Sequence, residues 1–223
     1  MFLKKSCLIA TSCLSLIALS SCGRSANQHV VSTTYMHKYG VTLSEADWHN
    51  RGANGEVITT YTNGVVASRH YINGQLEGKT TYTFPHTSTI QKEEEYRQDH
   101  KLSEIYHYPS GVPKEKVEFV SDNETIRSSW YLEGFPKSKE HFEDNVLTFA
   151  EYYSPKNEIE AKVENKKGTQ IERSAQGDFL AKNVIENGQI VSKTTFYTNG
   201  DPKAQIPYKN GKINGLKKVF YQN

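Results

Sequence analysis

The feature that most constrains this chain is a tyrosine followed, three residues later, by a glycine. Asn-Gly fills four of the six intervening turns in the set Tyr61/Gly64, Tyr71/Gly74, Tyr108/Gly111, Tyr131/Gly134, Tyr197/Gly200 and Tyr208/Gly211. Asn-Gly is a strong hairpin signal because both turn residues must tolerate a positive φ. We therefore expect structural roles for these tyrosines and glycines, and also for Gly188.

The turn residues fall in two interleaved series with a spacing of about 23 residues. The series are Gly111, Gly134, Asn157, Gly200 and Asn223, and Asn145, Gly168, Gly188 and Gly211. A three-residue deletion near 170–180 would explain the shorter intervals. Segments between the turns alternate and are rich in β-branched and aromatic residues, which is typical of strands. About seven units of two strands and two turns run from Gly55 to Asn223.

One short helix is predicted immediately before the repeats. Thr42 and Glu45 have the spacing of a capping box, and Gly52 can end a helix. We expect a helix over 43–51 whose Trp48 covers the open end of the first repeat, because solenoid-like arrays need terminal caps. The predicted fold is all-β: an elongated meander of tandem antiparallel β-hairpins with a short N-terminal capping helix.

Two segments, 71–79 and 208–217, resemble variant MORN repeats. Each has a tyrosine, a turn Asn-Gly and a second glycine four residues on, Gly78 or Gly215, followed six residues later by Phe84 or Tyr221. The resemblance is close at both ends of the repeat region and looser in the middle. Some bacterial relatives are described as antitoxin components, a role that a secreted lipoprotein could not perform on a cytosolic toxin.

The N-terminus has the organisation of a secretory signal. Lys4 and Lys5 precede an apolar run over 7–21 that is too short to span a bilayer as a helix. The run ends in Leu19-Ser20-Ser21-Cys22-Gly23, which resembles the lipobox of bacterial lipoproteins. The resemblance implies that cleavage precedes Cys22, which becomes lipidated. An ordinary signal peptide with an incidental cysteine is the alternative.

This interpretation divides the chain and places it at a membrane. Gly23 is not the aspartate that retains lipoproteins at the inner membrane, so the resemblance implies the outer membrane, facing the periplasm. In a Gram-positive host it implies the outer face of the plasma membrane. The predicted parts are a signal peptide (1–21), the lipidated cysteine and a flexible tether (22–34), a capping segment (35–54) and a repeat domain (55–223).

The mature composition excludes several functions. All cysteines lie at or before Cys22, so neither a disulfide nor thiol catalysis is expected. Loss of Lys4 and Lys5 lowers the 27 basic residues to 25, equal to the 25 acidic ones. A neutral domain argues against a nucleic-acid partner.

No sequence motif points to a catalytic centre, and we expect no catalytic residue, cofactor or metal. The densest carboxylate run, Glu93–Glu95, fits a solvated face that protects a sheet edge. His100 and His107 could be imagined as metal ligands with Glu104, but they fit turn and surface histidines better.

The expected function is that of a membrane-anchored lipoprotein whose repeat surface is a non-catalytic interaction or scaffold module in the cell envelope. We expect the turn tyrosines to hold hairpins together rather than to stack a ligand. The alternatives are a structural spacer or surface antigen without a specific ligand, an envelope hydrolase and an antitoxin-like protein inhibitor. The charged stretch 154–178 lacks the turn tyrosines, so we expect it to open first.

Overall fold

The computed structural model describes residues 29–222, which form one open antiparallel sheet with a single short helix. The predicted all-β meander is confirmed. The signal peptide and Cys22 lie outside the described residues. The helix is α1 (Glu45–Asn50), and the strands are β1 (Val30–His37), β2 (Thr42–Leu43), β3 (Gly55–Tyr61), β4 (Val66–Ile72), β5 (Gln75–Thr83), β6 (Ile90–Arg97), β7 (His100–His107), β8 (Pro113–Phe119), β9 (Glu124–Trp130), β10 (Pro136–Glu143), β11 (Val146–Tyr153), β12 (Ile159–Glu164), β13 (Lys167–Arg173), β14 (Phe179–Glu186), β15 (Gln189–Phe196), β16 (Pro202–Lys209), β17 (Lys212–Ile213) and β18 (Lys218–Val219).

The strands follow the chain order across the sheet. Each strand from β3 to β16 pairs antiparallel with the next, which gives seven consecutive hairpins. Strand β1 pairs along β3 and forms one edge of the sheet. At the other end, β17 and β18 make short pairings with β16. No helix within residues 29–222 is long and apolar enough to cross a bilayer.

The segment before the repeats differs from the sequence expectation at two points. Residues 30–34, predicted as tether, belong to β1 because they pair with β3. The helix begins at Glu45, and its N-cap is Ser44, whose hydroxyl accepts the Asp47 N–H at 3.1 Å. Trp48 is 3% exposed and packs against aromatic rings of β1 and β4, so it does cover the start of the sheet.

Most turns are of two kinds, which alternate along the chain; the turn at 120–124 has no residue of positive φ and belongs to neither kind. In the two-residue turns both residues have positive φ, as in Asn73-Gly74 at +53° and +80°. In the longer turns the first residue accepts the N–H three residues on and donates to a carbonyl four residues on, as Tyr108 does with Gly111 and Val112, or five residues on in the turn that starts at Phe84. The Asn-Gly pairs at 63–64 and 199–200 are in longer turns, where only the glycine has positive φ. The expectation of one turn type for all four Asn-Gly pairs is therefore wrong.

The predicted structural glycines all lie in turns or in the strand segment just after one, and all have φ between +70° and +112°. They are Gly64, Gly74, Gly78, Gly111, Gly134, Gly188, Gly200, Gly211 and Gly215.

A β-bulge recurs at the second residue of the strand that follows each longer turn after the first, which leads into β4 without a bulge. The bulged residues are separated by 23, 23, 23, 20 and 23 positions: Gln91, Lys114, Lys137, Glu160, Leu180 and Lys203. Bulges bend the strand and increase its twist, so a bulge in each repeat curves the sheet in the same sense. This spacing confirms the repeat of about 23 residues.

The three-residue deletion lies mainly in the β12–β13 hairpin rather than at 170–180. Nine residues separate Asn157 from Lys166, the second residue of the next turn, whereas eleven separate Gly134 from Asn145. The hairpin consequently pairs at only two positions. Gly168, predicted at a turn, is the second residue of β13.

One face of the sheet is buried and the other is exposed. In β14, Ala181, Asn183 and Ile185 are at most 2% exposed, while the alternate residues face solvent. Cross-strand pairing aligns the buried residues of neighbouring strands on one side, which we call the buried face. Its largest apolar cluster is Leu147, Ala150, Tyr152, Val163 and Ile185.

Candidate binding groove on the buried face

The tyrosines of the longer turns connect successive repeats. Three of them donate the hydroxyl to a backbone carbonyl 22 or 23 residues further on, contacts that we call tyrosine rungs: Tyr108 to Trp130 O at 3.0 Å, Tyr131 to Tyr153 O at 2.6 Å, and Tyr197 to Phe220 O at 2.9 Å. Tyr131 is 1% exposed, and burial raises its pKa to about 12. These contacts favour packing over ligand stacking as the role of the ring.

The other predicted tyrosines also have structural contacts. The Tyr61 hydroxyl accepts a hydrogen bond from Arg69 at 3.0 Å. Tyr71 packs edge-on against Trp48, with ring centroids 6.1 Å apart. Tyr208 lies at the end of β16 and pairs with Ile213.

A charged cluster occupies the buried face of β6 and β7. Glu94 is 5% exposed, and its Oε1 lies 2.9 Å from Lys92 Nζ and 3.1 Å from Lys101 Nζ. The expectation that Glu93–Glu95 is a solvated run is therefore wrong for its central residue. The sequence did predict that alternate members share a face, and it is this alternation that buries Glu94.

The lysines keep the buried carboxylate ionised. Burial alone would raise the pKa of Glu94, but hydrogen bonds from Lys92 and Lys101 outweigh burial and lower this pKa. Burial alone would lower the pKa of Lys101, but its hydrogen bonds to Glu104 and Glu94 raise it. The cluster is thus internally neutralised and leaves little charge for a ligand.

The histidines and Glu104 do not converge. His107 has a mostly buried side chain, with Nε2 3.7 Å from Glu93 Oε1, so it is not the surface histidine expected. His100 is exposed and contacts the Gln98 carbonyl, while Glu104 pairs with Lys101. Within residues 29–222, no three His, Cys, Asp or Glu side chains meet as a metal site.

A polar groove of about 360 Å³ opens on the buried face across β8 to β14. Its walls and floor include Glu115, Arg127, Lys137, Glu140, Tyr152 and Glu172. None of these residues belongs to the sets predicted from the sequence. The volume lies within the range of about 300–1,000 Å³ typical of small-ligand sites.

The carboxylates on the floor of the groove are already hydrogen-bonded. Glu140 Oε1 accepts from the Tyr152 hydroxyl at 2.7 Å and from Gln170 Nε2 at 3.1 Å. Glu172 accepts from Lys193 Nζ at 2.8 Å and from Asn183 Nδ2 at 2.7 Å. Burial and the nearby Glu140 raise the pKa of Tyr152, which keeps it a hydrogen-bond donor. The floor is therefore a fixed network.

The cations of the groove fall into two groups. Arg173 pairs with Glu160 at 2.7 Å. Within the described part of the chain, Lys137 and Arg127 have neither an ion pair nor a side-chain hydrogen bond. Arg127 lies over the Phe142 ring, with its guanidinium carbon 4.8 Å from the centroid.

Lys137 is the bulged residue of β10, and the bulge places it on the groove beside Ser138. Its side chain is half-buried. Burial lowers the pKa of Lys137, and the attraction of Glu115 offsets this only in part. The sequence did contain a signal: Lys137 lies one 23-residue repeat after Lys114. Only the register shows that this position carries the bulge.

The comparisons with known proteins do not assign the chain to a family. No protein-family model matches it, and no curated protein matches it. Among solved structures, a mutant of S. aureus TarM in complex with Fondaparinux, alpha-GlcNAc-glycerol and UDP is similar over 55% of this chain, at 13% identity and a TM-score of 0.27. This chain spans 21% of that chain, and a likeness of this size supports no functional argument.

Proposed function

We propose that the protein is a lipoprotein anchored at the outer membrane through Cys22, and that its repeat sheet is a non-catalytic interaction or scaffold module of the cell envelope. The observation that supports this proposal is the outer edge of β1, which is largely unpaired within residues 29–222. Its residues Val30 and Val31 are 56% and 62% exposed, and β2 pairs with β1 only at Tyr35 and Met36. A free, partly apolar edge can accept a strand of a partner protein.

The edge strand would lie close to the anchor. Eight positions separate Cys22 from Val30, and a fully extended chain of that length reaches about 29 Å at most. A partner strand would therefore join the sheet near the membrane surface, and the remaining repeats would extend from that point. This arrangement suits a module that holds an envelope partner at the membrane.

The anchor is tested by metabolic labelling with palmitate. The natural chain should incorporate the label, and Cys22→Ala should not. Label that still enters the Cys22→Ala chain would show that the lipobox interpretation is wrong.

The partner is tested by photo-crosslinking in intact cells. A crosslinker at Val31 should capture a defined envelope protein, whereas one at Val184, 39% exposed on the outer face of β14, should not. A charged residue at the edge should block strand addition, so Val31→Lys should abolish capture by a crosslinker placed at Val30, and Val184→Lys should retain it. A protein that is always recovered alone would favour the structural spacer or surface antigen.

A further inference from the structure

The groove across β8 to β14 combines a hydrogen-bonded floor with two cations on its walls that have no ion pair within residues 29–222. On the floor, Glu172 is paired with Lys193, whereas Glu140 accepts only from the neutral Tyr152 and Gln170 side chains and keeps its charge. The Lys137 ammonium and the Arg127 guanidinium have no ionic partner within residues 29–222. Together they offer up to eight N–H donors to whatever enters the groove.

The burial of Lys137 favours an anionic occupant. An ammonium that is withdrawn from water without a partner loses hydration free energy, and the attraction of a bound oxyanion offsets part of that loss. Arg127 can present two parallel N–H groups to one carboxylate or phosphate. Next to Lys137, the Ser129 and Ser138 hydroxyls are 2.7 Å apart, and each can make a further hydrogen bond.

We propose that this groove is a binding site for an oxyanion, a carboxylate or phosphate group, held between Lys137 and Arg127. Glu115 is the strongest competing group, and the charges of Glu140 and Glu172 act on Lys137 in the same sense. Glu115 is exposed on β8, faces Ser129 across the strands, and attracts Lys137 without reaching ion-pair distance. In this proposal it lowers the affinity of the groove for anions. The site lies in the middle of the sheet, so it is separate from the β1 edge proposed for a partner strand.

The repeat supplies a matched control. Lys114 occupies the same bulge position one repeat earlier, but it is exposed and lies outside the groove. Lys137→Met and Lys114→Met remove the same charge and retain a similar apolar stem. A specific site should distinguish them, whereas a general surface-charge effect should not.

Calorimetric titration of the full chain in neutral detergent tests the proposal. The probes are inorganic phosphate, glutarate and the uncharged glutaramide. We expect saturable binding of phosphate or glutarate but not of glutaramide, and the tighter of the two anions identifies the preferred group. Lys137→Met should weaken binding at least tenfold. Lys114 is close enough to act on the pKa of Lys137, so Lys114→Met should change binding slightly, by about twofold at most, and Glu115→Gln should strengthen it.

NMR of the chain labelled at lysine Cε reports directly on the ammonium. The Lys137 resonance should move on addition of the bound anion, and the Lys114 resonance should stay in place. Arg127→Gln is a second variant that weakens binding while retaining Lys137, and thermal melting of each variant checks that it folds. Absence of saturable anion binding, or equal losses in Lys137→Met and Lys114→Met, would overturn the proposal. It would also be overturned if the Lys137 resonance moved in the Glu115→Gln variant but did not move on addition of phosphate or of glutarate.

Discussion

The turns at Tyr108 and Tyr131 differ from those at Ser154 and Ser174, although the backbone is the same in all four. Each first residue accepts the N–H three residues on and donates to the carbonyl four residues on. The tyrosines add a hydroxyl bond to the next repeat. The serines instead accept N–H groups of their own turn, as Ser174 does from Asp178 at 3.0 Å. Tyrosine is therefore not needed to form the turn, and its additional effect is to link repeats.

The stretch 154–178, whose two longer turns begin with Ser154 and Ser174, has its own source of stability. It contains Val163, which is fully buried in the cluster with Leu147 and Ile185. The chain thus uses long-range tyrosine rungs in one region and apolar packing in the other. The expectation that 154–178 opens first, because it lacks the turn tyrosines, does not take this packing into account.

Truncation of the first turn residue in each region should give the largest difference. Tyr131→Ala deletes a fully buried ring together with its rung, so we expect it to lower the free energy of unfolding by about 3–5 kcal/mol. Ser154→Ala removes only a local cap and should lower it by about 1 kcal/mol. Urea unfolding followed by circular dichroism measures both. Equal losses would mean that the rungs add nothing to the turn.

A methyl group added at two glycines should show how tightly each region is packed. Gly188 and Gly111 both have positive φ, so alanine at either should cost about 1 kcal/mol of unfolding free energy in backbone strain. A Cβ at Gly188 would also lie 2.6 Å from the Leu147 carbonyl oxygen, whereas a Cβ at Gly111 would meet nothing within 4 Å. We therefore expect a further loss of about 1–3 kcal/mol in Gly188→Ala alone.

Thermal unfolding of the two glycine variants provides the comparison. A Gly111→Ala chain that melts no higher than the Gly188→Ala chain would contradict the difference in packing.

The sequence predicts the repeat and the strand alternation because both depend on local preferences. Turn glycines and β-branched segments recur at fixed spacing, and they give seven hairpins without knowledge of the tertiary structure. The same reasoning misses β1, because residues 30–34 have neither the alternation nor the turn glycines that mark the other strands. Four of these five residues are nevertheless β-branched, so the local propensity for a strand is present, and pairing with β3 realises it.

The groove could not be predicted in the same way. Lys137 reaches it through a bulge, and a bulge changes which side chains share a face. Glu94 departs from the expectation for a related reason: its charge favours solvent exposure, but Lys92 on the same strand and Lys101 on the next strand make its burial tolerable. Composition identifies the charges, whereas only cross-strand register identifies their partners.

Removal of the hydroxyl alone should isolate the contribution of a single rung. Tyr131→Phe retains the ring but leaves the Tyr153 carbonyl without the donor at 2.6 Å, so we expect a loss of about 1 kcal/mol in unfolding free energy. Tyr39→Phe, at a ring that is 77% exposed, is the matched control and should change little. Because the pKa of Tyr131 is about 12, its phenolate absorbance should also be missing below that pH in the natural chain. If Tyr131→Phe is as stable as Tyr39→Phe, the hydroxyl bond contributes nothing to stability, and Tyr131 stabilises the fold only through the packing of its ring.

The smallest effect that we expect is a difference in local opening, measured by amide hydrogen exchange on the full chain. The hairpin of β12 and β13 pairs only at Val163↔Gly168 and Glu164↔Lys167, and no tyrosine rung starts from the turns on either side of it. Amides in 158–174 should therefore exchange about threefold faster than those in 190–209, which corresponds to about 0.7 kcal/mol in opening free energy. Within the faster stretch, the residues around Val163 should be the slowest, because that side chain is fully buried in the apolar cluster. Equal or greater protection throughout 158–174 would show that apolar packing alone sets local stability here. The tyrosine rungs would then fix the alignment of neighbouring repeats without making them harder to open.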